Sequence, residues 1–462
     1  MGTYDALYED QEGGRTGEPT YCDAIAHRVS PQSVDRRMVS PSKMFTIKLE
    51  LNVFLERNPG ADAFDASQGD GGLSLGGVPP AELAEALVRY LPATNSTRYG
   101  NPVGREDVRA AICENYYRFG SETGLTPDHI VIGDGGRDML QKWYQVVGHE
   151  TGTIGANLVV SAAPWTSYIH GPYVNSMNAL RAPGDAANGF RITAEGIDAC
   201  IERSKADGRQ VAGLVLTSPD NPTGNYTPMG DLIALVEHAA ARGIGHVLVD
   251  LVYQAVTDPE VGIYDLDAFY RALSPEARAR VCFMDALTKS AGASNLRNAH
   301  LVVGSSDYAT RFKGIATHTV LPNAVGEAAA LEVYGHSDPL QHPWVQKVVG
   351  PTAESRRLVR EQFAALGYRF IADQGYYAFV NIWPWLNKRL PEPITDAAGR
   401  QIERVESVEV LKSYLTTQCG LAIIHGSVFK QPHFVRFSYA NAAEYTARAI
   451  GRLNEGLTAL GN

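Results

Sequence analysis

The sequence predicts an α/β fold: a large, mainly parallel sheet covered on both faces by helices, followed by a smaller α+β unit. Two observations carry this. Apolar runs recur at Ile130-Val131-Ile132, Leu158-Val159-Val160, Leu214-Val215-Leu216, Val247-Leu248-Val249, Val281-Cys282-Phe283 and Leu301-Val302-Val303, unbroken by polar positions. Strands of a parallel sheet are buried on both faces and need that continuity rather than alternation. Between the runs the apolar spacing turns helical, as at Met139, Leu140, Trp143, Tyr144 and Val147, and again at Leu232, Leu235, Val236 and Ala239.

In chain order, residues 1–43 are polar and rich in Gly, Pro and charge, and predict an arm that is partly flexible. Residues 44–80 are assigned to the smaller unit and a substrate loop. Ile47, Leu49, Leu51 and Val53 alternate with polar residues, a strand-like period, and Asp65 to Pro80 is a Gly-rich loop. Residues 81–330 form the large unit. Pro80-Ala81-Glu82-Leu83 opens its first helix with proline in the first turn, and Val108 to Tyr117 predicts a second, amphipathic helix. Residues 331–462 form the C-terminal smaller unit. It has a long helix around Val345 to Leu366, a strand at Gly375 to Val380, a polar stretch from Asn387 to Glu406, a strand at Phe434 to Ser438 and a final helix.

Composition narrows the function. The 462 residues are 44% hydrophobic and 20% charged, ordinary for a globular protein, and the net charge of −10 without a Lys/Arg cluster argues against nucleic acid as partner. Five cysteines (Cys22, Cys113, Cys200, Cys282 and Cys419) lack CxxC spacing, which predicts reduced thiols, a cytoplasmic location and no metal site. The start MGTYDALYEDQEGG has no apolar core for a signal peptide, and Ala6 stands where a myristoylation signal needs Ser or Thr. No run of 18 apolar residues offers a membrane span. No GxGxxG follows a strand, which disfavours a dinucleotide dehydrogenase. The acidic arm is too short for the helix-turn-helix of a regulator.

Chemistry-bearing residues cluster just past the carboxyl ends of the apolar runs, where ligands of such sheets sit. Asn221-Pro222-Thr223-Gly224 and Asp250-Leu251-Val252-Tyr253 each close a run, and Val281 to Lys289 reads as a buried strand delivering a lysine at its end, with Arg297 eight residues on. A lysine, an arginine, an asparagine, an aspartate and a tyrosine so placed can hold a phosphorylated aldehyde and bond covalently to it.

Taken together, order and spacing resemble fold-type I enzymes dependent on pyridoxal phosphate, the aspartate-aminotransferase superfamily, over roughly Met44 to the C-terminus. The resemblance implies a seven-stranded sheet and an α-amino acid processed through a Lys289 Schiff base and a quinonoid intermediate. It makes Asp250 the partner of the pyridine nitrogen, and Tyr253 and Asn221 partners of the phenolic oxygen. Arg297 and the Gly135-Gly136-Arg137 backbone would hold the phosphate, Thr288 would also bind the cofactor, and Trp165 would stack on the ring. Tyr99 would reach the phosphate of a neighbouring subunit, making a homodimer with shared sites. Arg436 would bind the substrate carboxylate, Asn221 also touches substrate, and Gly69 lies in a loop closing over it.

This chain departs from the family pattern at three places. Ala286 stands where a phosphate-binding serine is usual, Asn295 where glycine is usual, and His425-Gly426-Ser427-Val428-Phe429 where the loop begins with proline. His425 is therefore a candidate substrate-binding residue, able to titrate near neutrality. The polar stretch 387–406 is longer than the usual connection and suggests a lid or interface element. Transamination is the default reaction. The alternative is β- or γ-elimination, replacement or cyclisation in specialised metabolism, as in enzymes resembling aminocyclopropanecarboxylate synthase that use S-adenosylmethionine.

Overall fold

The computed structural model describes residues 47–71, 74–91, 98–395 and 399–461. The chain enters through a helix, Ile47–Arg57, and a short strand β1 (Phe64–Asp65). The helix corrects the strand expected there. Ile47, Leu51 and Phe54 lie at i, i+4 and i+7, and burial of Ile47 and Phe54 on that one face outweighs the alternation of Leu49, Leu51 and Val53. Leu49, read as an inward strand position, is 65% exposed.

The helix Pro80–Tyr90 starts at its proline, and the one expected over Val108 to Tyr117 is α-helical over Glu106–Ala111 before widening into a π-turn, Ile112–Tyr116. The large sheet follows: β2 (Ile130–Gly133), β3 (Asn157–Val160), β4 (Asn178–Arg181), β5 (Val211–Thr217), β6 (His246–Asp250), β7 (Val281–Asp285) and β8 (Ala299–Val303). Their order is β2-β8-β7-β6-β5-β3-β4. β8 runs antiparallel to both its neighbours and every other pairing is parallel, so the sheet is seven-stranded and mainly parallel, as expected. β4, Asn-Ala-Leu-Arg, is the strand that sequence patterning missed.

Past the long helix Pro343–Ala365 the chain builds an antiparallel sheet from β9 (Phe370–Ile371), β10 (Tyr377–Asn381), β14 (Ile424–His425) and β15 (Phe434–Ser438), in the order β14-β15-β10-β9. Between β10 and β14 come a hairpin, β11 (Arg389–Thr395) and β12 (Gln401–Arg404), the helix Val408–Thr417, and β13 (Leu421–Ala422), which pairs in parallel with β1. The hairpin accounts for the polar stretch 387–406. Among the described residues the two largest of four apolar clusters divide most of the burial. One is centred on the large sheet; the other gathers Phe363, Val380, Leu411, Phe437 and Leu453 around the small one. Among the described residues no helix is long and apolar enough to cross a membrane, and no group of three or more His, Cys, Asp or Glu could hold a metal ion.

Candidate active site

A cavity of about 460 Å³ opens beyond the carboxyl ends of β5, β6 and β7, between them and the small sheet. Its lining includes Gly69, Gly136, Arg137, Trp165, Asn221, Asp250, Tyr253, Thr288, Lys289, Arg297 and Arg436, so most of the residues singled out from the sequence meet here.

Lys289 does not end a strand. β7 stops at Asp285, and a helical turn, Leu287–Ser290, carries the lysine inward. Its amine donates to the Gly69 carbonyl and lies 5.6 Å from the centre of the Tyr253 ring. Its pKa is lowered, mainly by burial, with Arg436 and Arg137 adding to the effect and Tyr377 and Asp70 opposing it. A side chain on residue 69 would collide with the Tyr377 hydroxyl, 2.0 Å from an ideal Cβ, so only glycine lets the loop lie this close.

Asp250 ends β6, fully buried. Its Oδ2 accepts from the Tyr168 hydroxyl at 2.5 Å and its Oδ1 from the Val252 amide at 3.1 Å. Burial pushes its pKa up to about 6 despite these bonds and the nearby Lys289. Both donors are neutral, so its negative charge has room for a cationic N–H partner in the cavity.

At one end of the cavity, Arg297 sits in the left-handed region at φ 53°, its guanidinium donating to the carbonyls of Ser294 (2.9 Å) and Asp134 (3.2 Å). Gly135, at φ 87°, lets the guanidinium pass where an ideal Cβ would lie 2.3 Å from Nη2. The helix Gly136–Thr151 starts at this spot, so its first amides and dipole face the same point as Arg297. Arg137 lies 5.7 Å from the Trp165 ring centre. Ala286 brings no hydroxyl, but Ser294, which sequence reading did not single out, lines this end.

At the other end, Arg436 on β15 is 1% exposed. Nη1 donates to Asn221 Oδ1 at 2.8 Å and Nη2 to the Ser67 carbonyl at 2.7 Å, and the guanidinium stacks 4.2 Å from the Tyr377 ring centre. Asn221 Nδ2 reaches the Tyr253 hydroxyl at 3.4 Å, and the Tyr253 and Tyr377 hydroxyls stand 3.0 Å apart.

Three sequence candidates fall outside the lining. Gly135 stands behind Arg297, as above. Tyr99 is 95% exposed on the surface. His425, expected at the substrate end, is buried with Nδ1 3.3 Å from Glu409. The register explains it: His425 pairs with Val435 and Ile424 with Arg436, so His425 shares a face with Val435 while Arg436 points the opposite way. Nor does any described residue of the hairpin 389–404 contribute to the lining.

Sequence reading passed over Tyr168 and Tyr377, which orient Asp250 and Tyr253, and Gln68, Asp70 and Thr217, which line the cavity. Tyr168 could have been found from Trp165, three residues before it on the same helical turn.

Comparison with known proteins agrees with this fold. The family model "Aminotransferase class I and II" matches residues 68–453. An aspartate aminotransferase of Bacillus sp. is 23% identical over 361 residues, spanning 78% of this chain and 83% of that protein. An aspartate/prephenate aminotransferase of Thermus thermophilus is 23% identical across 91% of this chain and 98% of that one. The solved aspartate aminotransferase of Rhizobium meliloti superposes with a TM-score of 0.74 at 20% identity, covering 92% of this chain and 98% of that chain. The chain belongs to the class I and II aminotransferases.

Proposed function

We propose that this enzyme is a pyridoxal phosphate-dependent aminotransferase acting on an α-amino acid at the cavity around Lys289. One observation carries the reading: an inward-turned lysine with lowered pKa, a buried aspartate bonded only by neutral donors, and two arginines at opposite ends share one cavity. Members of the family use pyridoxal phosphate, and the residues present fit that group. Arg297, the amides of Gly136 and Arg137 and the hydroxyls of Thr288 and Ser294 suit a phosphate dianion. Asp250 suits a protonated ring nitrogen, Trp165 a ring face, and Asn221 with Tyr253 a phenolic oxygen. When bound, the cofactor supplies an aldehyde for amine condensation and a ring that withdraws electrons from the substrate Cα.

The rest falls to the chain. Lys289, its charge disfavoured by burial, gives up its proton more readily than a free lysine and moves a proton at the substrate Cα. Arg436 takes the substrate carboxylate with its planar fork, exchanging its bonds to Asn221 and Ser67 for those to substrate. Tyr168 and the Val252 amide hold Asp250 in position. Residues 44–80 and 331–462 form the smaller body that closes over 81–330, with Gly69 in the closing loop. Exposed Tyr99 reaches the phosphate end of a second subunit, so the enzyme is a homodimer with shared sites. Four described cysteines without a disulfide support a cytoplasmic location.

The test is a visible spectrum of the purified protein, then of Lys289→Ala, with a panel of amino acids added. Wild-type protein should show the band of lysine-bound cofactor and convert it to the amine form of the cofactor with its substrate. A protein that binds no pyridoxal phosphate refutes the proposal, and a bound cofactor never converted to its amine form by any amino acid refutes transamination.

A further inference from the structure

Tyr377 is buried, lines the cavity around Lys289 and touches groups at both ends of the substrate side of that cavity. It stands on β10 paired with Ser438, two positions from the pair Phe379 and Arg436. Side chains two apart share a face of a strand, so Tyr377 and Arg436 are diagonal neighbours on one face of the small sheet. Ala378, Val380, Val435 and Phe437 turn the other way, into the apolar cluster of the smaller body. The Arg436 guanidinium lies 4.2 Å from the Tyr377 ring centre, and the hydroxyl at the far end of that ring stands 3.0 Å from the Tyr253 hydroxyl. One side chain thus meets both the arginine assigned to the carboxylate and the tyrosine assigned to the phenolic oxygen.

The amide beside the two hydroxyls sets the direction of the bond between them. Asn221 accepts from Arg436 Nη1 at 2.8 Å, which only its Oδ1 can do, so its Nδ2 faces Tyr253 and donates to that hydroxyl oxygen at 3.4 Å. A phenol has one proton to donate. Given to Tyr377, the Tyr253 proton would be lost to any ligand in the cavity. Received from Tyr377, a second bond fills the Tyr253 oxygen and leaves its own proton for the cavity. Among the described residues Tyr253 is the one hydrogen-bond partner of the Tyr377 hydroxyl, so this direction also uses the Tyr377 proton. The charged groups that act on the pair and on the neighbouring lysine are Arg436 on β15, Asp250 on β6, Lys289 itself, Asp70 in the Gly69 loop and Arg137 at the start of its helix.

We propose that Tyr377 is a positioning residue: its hydroxyl donates to Tyr253 and so turns the single Tyr253 proton toward the phenolic oxygen of the bound cofactor, while its ring holds the Arg436 fork flat for the carboxylate. The inference rests on the reading of this cavity as a pyridoxal phosphate site. A donor that itself accepts a hydrogen bond is the stronger donor. A donor aimed at the phenolic oxygen favours its anionic form, and so lowers the pH at which the lysine-bound cofactor loses its proton.

A spectral pH titration of the loaded protein without substrate tests this, for wild type, Tyr377→Phe and Tyr377→Leu. Phenylalanine keeps the ring and removes the hydroxyl. Its midpoint should rise by roughly 0.2–0.7 pH unit, as a weakening of roughly 10–30% in a strong charge-assisted bond implies. Its KM for the amino acid in the half-reaction should stay within about twofold of wild type. Leucine removes the ring as well, and its KM should rise about tenfold or more as the stacked face of Arg436 is lost. A midpoint that stays in place or falls in Tyr377→Phe overturns the proposal, a fall meaning that Tyr253 donates to Tyr377. A KM for Tyr377→Leu equal to that of wild type overturns the part assigned to the ring, and Tyr377→Phe alone decides if the leucine variant fails to fold. Wild type without a cofactor band removes the pyridoxal phosphate reading and this inference together, whereas a normal wild-type band with no rise in Tyr377→Phe removes this inference alone.

Discussion

Replacing Arg436 by lysine keeps the positive charge and removes the fork. In the structure the two terminal nitrogens of Arg436 each already hold a carbonyl-type oxygen, Asn221 Oδ1 at 2.8 Å and the Ser67 carbonyl at 2.7 Å, in a setting 1% exposed. On the proposed assignment the same pair of donors takes the substrate carboxylate, and lysine can supply only one of them at that geometry. A hydrogen bond to a charged group contributes roughly 1.5–3 kcal/mol. Losing one should therefore raise the KM for the amino acid about 10- to 150-fold, at about 1.4 kcal/mol per tenfold. The assay is the half-reaction followed by the cofactor spectrum while the amino acid is titrated, for wild type and Arg436→Lys. A parallel titration uses the corresponding amine without its carboxylate. The amine should bind wild type at least as weakly as the amino acid binds the variant and lose little more on mutation, because removing the carboxylate deletes both bonds to Arg436 and the variant deletes one of the two. A variant whose KM stays within about threefold of wild type, or whose loss is the same for the amine as for the amino acid, would refute the assignment of Arg436 to the carboxylate.

Other perturbations follow from the same geometry. Gly135→Ala puts a Cβ 2.3 Å from Arg297 Nη2 at a φ of 87°; backbone strain of about 1–3 kcal/mol and a displaced guanidinium should weaken cofactor binding about tenfold or more in a fluorescence titration. Tyr168→Phe removes the shortest bond to Asp250, so the Asp250 carboxyl should titrate still higher and the spectrum of bound cofactor should shift its pH dependence, with an affinity loss of about 1–3 kcal/mol. Asp285 is fully buried, accepting from Tyr116, Gln254 and the Ala286 amide, and burial raises its pKa from 3.8 to about 7. Its folded form holds the proton longer than the unfolded form, so this group's contribution favours folding at low pH and is lost as pH rises toward 7. Apo Asp285→Asn should therefore gain on apo wild type by about 3 kcal/mol between pH 5 and pH 8 in denaturant titrations; a constant difference across that range would show that Asp285 does not titrate there.

The sequence made the main architecture legible because long buried strands leave unbroken apolar runs, and residues at their carboxyl ends inherit a position from the run. Asp250 and Asn221 could be placed that way. Tyr168 and Tyr377 could not, since a tyrosine amid apolar neighbours reads as core until packing shows where its hydroxyl points. Tyr377 meets Tyr253 across 124 positions of chain. β4 escaped because Asn-Ala-Leu-Arg has too little apolar character to register, although the sheet covers it. Helix Ile47–Arg57 was misjudged because Ile47, Leu51 and Val53 satisfy an i, i+2 pattern while Ile47, Leu51 and Phe54 satisfy the helical one. His425 was misplaced by a single residue of register, invisible without the pairing of β14 to β15.

The bond from the Lys289 amine to the Gly69 carbonyl ties the nucleophile to the loop that roofs it. A buried lysine whose charge is disfavoured is open to any small aldehyde that diffuses in; here its nitrogen is hydrogen-bonded to that loop. With Lys289 as the proposed cofactor lysine, loading the enzyme should require an opening step before any covalent chemistry. At high cofactor concentration the rate of activation should level off at the opening rate instead of rising with supply. On that assignment the apoprotein guards its own reagent: an adventitious carbonyl compound would wait for the same opening as the proper one, and only the proper one would bring a phosphate for Arg297 to keep.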